Sequence, residues 1–119
     1  MSKSEEYYIA LMYRYVSELA HDLREENITP EALGRSTLLQ RSVSKGIELV
    51  GEAAWRLGKL GADLGPSIPL ADIAGMRHIL VHQYDGVDWN LVEEVAFKDI
   101  PSLEIELRKI MQERGIEPL

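Results

Sequence analysis

Apolar side chains recur every three or four residues along two long stretches of this chain, and no stretch alternates residue by residue between apolar and polar. Ile9, Met12, Val16, Leu19 and Leu23 make one such stripe; Leu39, Val43, Ile47, Val50, Ala54 and Leu57 make a second. That repeat is the period of a helix with one face against a core, and it argues against a half-buried sheet. Breakers fall at Asn27-Ile28-Thr29-Pro30, between Gly61 and Pro69, and at Tyr84-Asp85-Gly86-Val87-Asp88. The chain therefore reads as all-α, an up-and-down bundle of four main helices plus short helical pieces.

The first helix is expected from about Ser4 to Glu26, with Ser2 and Glu5 spaced as a capping box. Thr29 and Pro30 open a short helical piece, the threonine capping and the proline at the first helical position. The long helix then runs from about Ser36 to Leu60. Gly46, Gly51 and Gly58 fall inside it, and each weakens a helix interior by about 1 kcal/mol relative to alanine. Close approach of a neighbouring helix is one reason for glycine at such positions. A third helix is expected over Pro69 to His82. A fourth follows Asp88, a suitable N-cap, and reaches about Arg114 with a kink or break near Pro101.

A length of 119 residues supports one core and no second, so residues 1–119 are read as a single domain. The chain has no cysteine, which removes disulfides, thiolate metal sites and a cysteine nucleophile. No apolar run approaches the ~20 residues of a membrane span, and the first residues lack the apolar core of a signal peptide. A cytoplasmic protein without a membrane partner is expected. With 13 Lys+Arg against 20 Asp+Glu, the net charge of −7 argues against a broadly basic surface that coats nucleic acid. A small local site for RNA is compatible with it.

Charge is uneven along the chain. On the long helix, Arg41, Lys45, Glu48, Glu52, Arg56 and Lys59 are spaced three or four apart and form one polar stripe. It reads as a solvated face with intrahelical ion pairs, each worth a few tenths of a kcal/mol. The sharper alternative is that Arg41 and Lys45 flank a phosphate path. The third helix is different: between Pro69 and Val81 its only charged side chains are Asp72 and Arg77. An arginine on so apolar a helix must reach water, pair with an acid or face a polar cleft.

At about 100° per residue, Arg77 and Tyr84 share a helical face, whereas His82 lies about 140° away from Arg77. Arg77 and His82 can converge if the helix ends near His82 and the Tyr-Asp-Gly turn re-aims the imidazole. They can also combine across a dimer axis. His78 and His82, four apart, could share a metal, but no third histidine lies nearby and no zinc motif occurs. No phosphate-binding loop, dinucleotide fingerprint or nucleophile elbow is present either. No metal and no cofactor are expected.

Arg77-His78-Ile79-Leu80-Val81-His82-Gln83-Tyr84 has the pattern Arg-x4-His-x-Tyr, which resembles the signature of HEPN-domain ribonuclease toxins of the HepT-like group. Gly51-Glu52-Ala53 is similar to the Gly-Glu-Ala of that group's long helix. Ile68-Pro69 followed by Ile73-Ala74-Gly75-Met76-Arg77 resembles the approach to its motif, and Val87-Asp88 the segment after it. The ordered set covers nearly the whole chain. Two positions depart from the pattern: His78 stands where a small polar residue is usual, and Leu70 where tryptophan is frequent. His78 either replaces the usual polar contact or marks a variant with weaker activity.

The resemblance implies a HEPN-type bundle, a homodimer (with higher assembly open) whose two motifs form a composite site, and metal-independent cleavage of RNA. Arg77 and His82 would be catalytic. Histidine suits proton transfer near neutrality, and the planar fork of arginine suits phosphoryl oxygens as they gain charge. The resemblance further implies a minimal nucleotidyltransferase antitoxin as partner, with adenylylation of Tyr84 adding bulk and negative charge beside the motif. His78, Glu52, Arg41 and Lys45 are the supporting candidates. Glu52 fits an orienting acid and, equally, an i to i+4 pair with Arg56. The competing class is a non-catalytic HEPN module that holds a nucleotidyltransferase or presents its substrate.

Overall fold

The computed structural model describes residues 2–119, and among these the regular secondary structure is all helical, with no strand. Helix α1 spans Lys3–Glu25, α2 Pro30–Arg35, α3 Thr37–Lys59 and α4 Leu70–His82. A single 3-10 turn covers Tyr84–Gly86, and α5 spans Trp89–Glu94. It runs without a break through a π-helical turn, Val95–Asp99, into α6, Ile100–Arg114. The all-α bundle expected from the periodicity is the observed fold. No helix of the described residues is long and apolar enough to cross a membrane.

The helix starts follow from local chemistry. The Ser2, Thr29 and Ser36 hydroxyls accept from the backbone N–H groups of Glu5, Ala32 and Leu39 at 3.1, 3.1 and 3.2 Å. Each satisfies one of the donors that a helix N-terminus leaves without an intrahelical partner. Asp88 does the same for Asn90 at 2.9 Å. At the other end of the chain, α6 stops at Gly115, whose φ of 66° is the left-handed conformation that glycine adopts without penalty.

The kink or break expected near Pro101 takes the form of a wide turn in a continuous helix rather than an interruption. Proline lacks the N–H that would bond back to Phe97, and its ring crowds that carbonyl. One residue earlier, the Ile100 N–H donates to the Val95 carbonyl, five residues back. The same wide turn keeps Val92, Ala96 and Ile100 buried in succession.

Helix α3 sits centrally, flanked by α1 and α4. Val43, Ile47, Val50, Ala54 and Leu57 are buried as expected, while Leu39 is only partly covered and packs on the edge of the core. Helix α6 lies antiparallel on α1: Glu5 pairs with Arg114, Tyr13 with Arg108 and Arg24 with Glu104, at 3.6, 3.2 and 3.7 Å. Tyr8, Tyr13 and Tyr15 pack partly buried on the core, whereas Tyr7 is exposed.

Candidate active site

The seam between α3 and α4 is where the motif residues meet the rest of the chain, and Gly51 sets its closeness. A Cβ at position 51 would overlap the Cβ of Arg77 and stand 3.1 Å from the Ile73 carbonyl oxygen. Only glycine admits this approach, so the glycine at position 51 has a packing reason. Gly46 plays a milder part on the opposite side, 3.1 Å from the Leu19 side chain by the same measure, and Gly58 faces open space. Ser44, Gly51 and Gly58 are seven apart, so they lie along one face of α3. Helix α4 covers the first two positions and ends its approach before the third.

That closeness brings Arg77 within reach of Glu52. The Arg77 Nε lies 2.7 Å from Glu52 Oε2, across the seam. The other carboxylate oxygen, Oε1, accepts from Arg56 Nε at 3.2 Å. Both readings of Glu52 therefore hold at once, one oxygen for each arginine. Side-chain exposures of 32% for Arg77 and 36% for Glu52 leave the pair at the surface. Held at its Nε edge, the guanidinium presents its far edge of donors outward.

His82 is the last residue of α4, and the chain turns immediately after it. Because the helix remains regular through position 82, the imidazole stays on a different face from Arg77 within one chain. Its neighbour is His78, with ring centroids 4.7 Å apart and planes tilted by 52°. Both rings are exposed. The structure thus joins His78 to His82 and Arg77 to Glu52, and leaves these as two separate pairs. No cluster of three or more metal-ligating side chains occurs among the described residues. Tyr84 begins the 3-10 turn, its ring edge-on to Trp89 at 5.6 Å, and its hydroxyl has no hydrogen-bond partner among the described residues.

Arg41 and Lys45 are both exposed on α3, and Lys45 pairs with Glu48 at 3.4 Å. Taking the Gly51–Arg77 crossing as origin, Lys45 lies about 9 Å back along α3 and His82 about 7.5 Å forward along α4. In an antiparallel helical hairpin these displacements run the same way, so Lys45 stands level with the His82 end of the site, and Arg41, about 15 Å back along α3, lies a turn beyond it.

Three contributors were not visible from residue types alone. Trp55 is 41% exposed one turn beyond Gly51, with Arg56 and Lys59 each 5.3 Å from its ring centroid. Trp89 buttresses Tyr84. Ser44 is buried beneath the seam with its hydroxyl unpartnered. The available signal for Trp55 was its place four residues after a packing glycine, next to one cation and four residues before another. A separate cavity of about 410 Å³ lies on the far side of α4, between Ile47, Ile73, Met76, Ile100 and Leu103. None of the motif residues lines it.

The chain is similar to known proteins of one family. A model of the family "Ribonuclease HepT-like" matches residues 6–110. The protein named "Putative RNase TTE0752" from Caldanaerobacter subterraneus subsp. tengcongensis is 34% identical over 75% of this chain and 80% of its own length. "Putative RNase MJ1216" from Methanocaldococcus jannaschii is 34% identical over 74% of this chain and 73% of its own. "Probable ribonuclease HepT" from Thermococcus cleftensis is 35% identical over 60% and 64%. No solved structure matches. With the family model spanning nearly the whole bundle, seam and motif helix included, the chain belongs to the ribonuclease HepT-like family, and ribonuclease is its enzyme class.

Proposed function

We propose that this chain is a metal-independent endoribonuclease toxin that acts as a homodimer, its composite site built from Arg77 and His82 of both copies. The observation that carries the reading is the pose of Arg77: an arginine on an apolar helix, fixed at 2.7 Å by Glu52 and still facing solvent. An ion pair kept only for stability would contribute little at this exposure. An arginine oriented by an acid and left with open donors suits a phosphodiester.

In the proposed reaction one His82 imidazole takes the proton of a ribose 2′-hydroxyl as its oxygen attacks the adjacent phosphorus. The bond from phosphorus to the 5′-oxygen breaks, and the second His82 gives that oxygen a proton. The products are a 2′,3′-cyclic phosphate and a 5′-hydroxyl. Arg77 holds the phosphoryl oxygens as charge builds on them. Dependence on the 2′-hydroxyl excludes DNA. Two copies are required because Arg77 and His82 lie on different faces of one α4. Lys45, level with His82, and Arg41, a turn beyond it, extend the phosphate path along α3.

A minimal nucleotidyltransferase antitoxin restrains the enzyme by transferring AMP to Tyr84. Two features of Tyr84 support this: it stands two residues after His82, and its hydroxyl is unpartnered. The nucleotidyl group would place a phosphate where the substrate phosphate must sit.

The test is RNA cleavage by the purified chain in EDTA beside His82→Ala, with product ends identified. Cleavage to cyclic-phosphate ends, lost in a folded His82→Ala protein, is the expected result. Equal background from both, with Tyr84 verified as unmodified by mass, would instead make the chain a non-catalytic partner of a nucleotidyltransferase.

A further inference from the structure

Trp55 is out of place by the rules that bury large aromatics. It is 41% exposed on α3, and two cations attend it: the Arg56 guanidinium and the Lys59 ammonium each lie 5.3 Å from the ring centroid. The ring is joined to the site through one of them. Arg56 stands over Trp55 and also donates to Glu52 Oε1 at 3.2 Å, while Glu52 Oε2 holds Arg77 at 2.7 Å. Position 55 is four residues after Gly51, so Trp55 lies on the face of α3 that meets α4, one turn beyond the crossing. It flanks Arg77 on the side away from His82, Lys45 and Arg41.

We infer that Trp55, with Arg56 and Lys59, forms a stacking subsite for a base of single-stranded RNA next to the cleaved phosphodiester. This rests on the RNA-cleaving reading above and adds a specificity-determining position to it. A flat exposed π-face with cations beside it is what a nucleotide needs: the base stacks, and its phosphate meets the ammonium or guanidinium. The chain as a whole is acidic, so affinity for RNA must come from a few local groups. Arg56 and Arg77 share the Glu52 carboxylate at this end of the seam, and Lys59 adds a third cation beside Trp55. From Arg41 to Lys59 the polar stripe runs about 27 Å along α3, with the Arg77 pair in its middle and phosphate-binding cations at one end. The aromatic platform occupies the other end.

Stacking on a protein aromatic tolerates any base but requires a base. The subsite therefore separates substrates that a purely electrostatic groove would not. It also selects unpaired RNA over duplex, whose bases are already stacked on one another.

The experiment uses the full chain carrying His82→Ala, which binds without cleaving. Its affinity is measured by anisotropy for a labelled single-stranded RNA and for an oligonucleotide of equal length lacking bases. Adding Trp55→Ala is expected to weaken RNA binding roughly five- to a hundredfold, to leave the base-free oligonucleotide unaffected and to keep the oligomeric state in light scattering. Trp55→Tyr should restore most of the loss. Unchanged RNA affinity in Trp55→Ala, or a loss that accompanies dissociation of the assembly, overturns the subsite. If the His82→Ala parent binds no RNA and the wild-type chain cleaves none, the functional reading fails and the subsite with it.

Discussion

Glu52 and Arg77 face each other across the tightest point of the fold, Oε2 to Nε at 2.7 Å, beside a glycine that allows the two helices to touch. The acid is shared with Arg56, so it can turn neither way without losing one partner. Glu52→Gln removes the charge and keeps the shape. Because the pair is about one third exposed, stability should change by less than about 1 kcal/mol. Single-turnover cleavage of RNA should fall about tenfold, since a misplaced Arg77 no longer meets the developing charge. Wild-type cleavage by Glu52→Gln would reduce the pair to a surface contact.

Gly51→Ala sets two effects against each other. Alanine favours the helix by about 1 kcal/mol, but the added methyl overlaps the Arg77 Cβ and crowds the Ile73 carbonyl. Neither atom can rotate away, and overpacking of this kind costs about 1–3 kcal/mol. The loss should win. Urea unfolding should show a lower midpoint with an unchanged slope. Gly58→Ala is the internal comparison: its Cβ meets nothing within 4 Å, so it should gain close to the full helix preference.

Ser44 keeps a hydroxyl in the seam with no partner. Ser44→Ala removes the unsatisfied group and improves helix propensity together, so stability should rise by about 1 kcal/mol. A fall in the denaturation midpoint would mean that the hydroxyl is satisfied in solution.

Tyr84→Phe leaves the ring against Trp89 and deletes the acceptor of the proposed nucleotidyl transfer. Incubated with the partner nucleotidyltransferase and ATP, the wild-type chain should gain the mass of one AMP at Tyr84 and lose cleavage. Tyr84→Phe should gain no mass and stay active. Modification of the variant at another hydroxyl would move the site of control elsewhere.

What could be seen in advance was local. Caps at Ser2, Thr29 and Asp88 act within three residues, and the stripes of α1 and α3 repeat at the helical period, so both kinds of signal are written in consecutive residues. Helix α4 was harder, because Leu70, Ile73, Met76, Ile79, Leu80 and Val81 ring it almost evenly and mark no inner face. Only Met76 and Leu80 are buried. The double role of Glu52 was out of reach, since it depends on the register of α3 against α4. That register is set by one glycine contact between residues 26 apart. Nothing local to Trp55 announces its exposure, which is set by where α3 sits in the bundle. The wide turn before Pro101 was anticipated as a break because proline announces the loss of a hydrogen bond. It does not announce how the neighbouring residues repair it.

Helix α4 carries both motif residues, yet it leans chiefly on a single neighbour, α3. Two of the other long helices have two neighbours: α1 is held by α3 and α6, and α3 by α1 and α4, whereas α6 rests chiefly on α1. Amide exchange in a fold of this kind is set by local opening, and elements with few supports open first. The amides around Arg77 and His82 should thus be less protected than those of α1 and α3 in an isolated chain. Anything that covers the outer face of α4 would slow their exchange in proportion to its occupancy. Protection along thirteen consecutive residues then becomes a titration curve for assembly, read out at the residues proposed to do the chemistry.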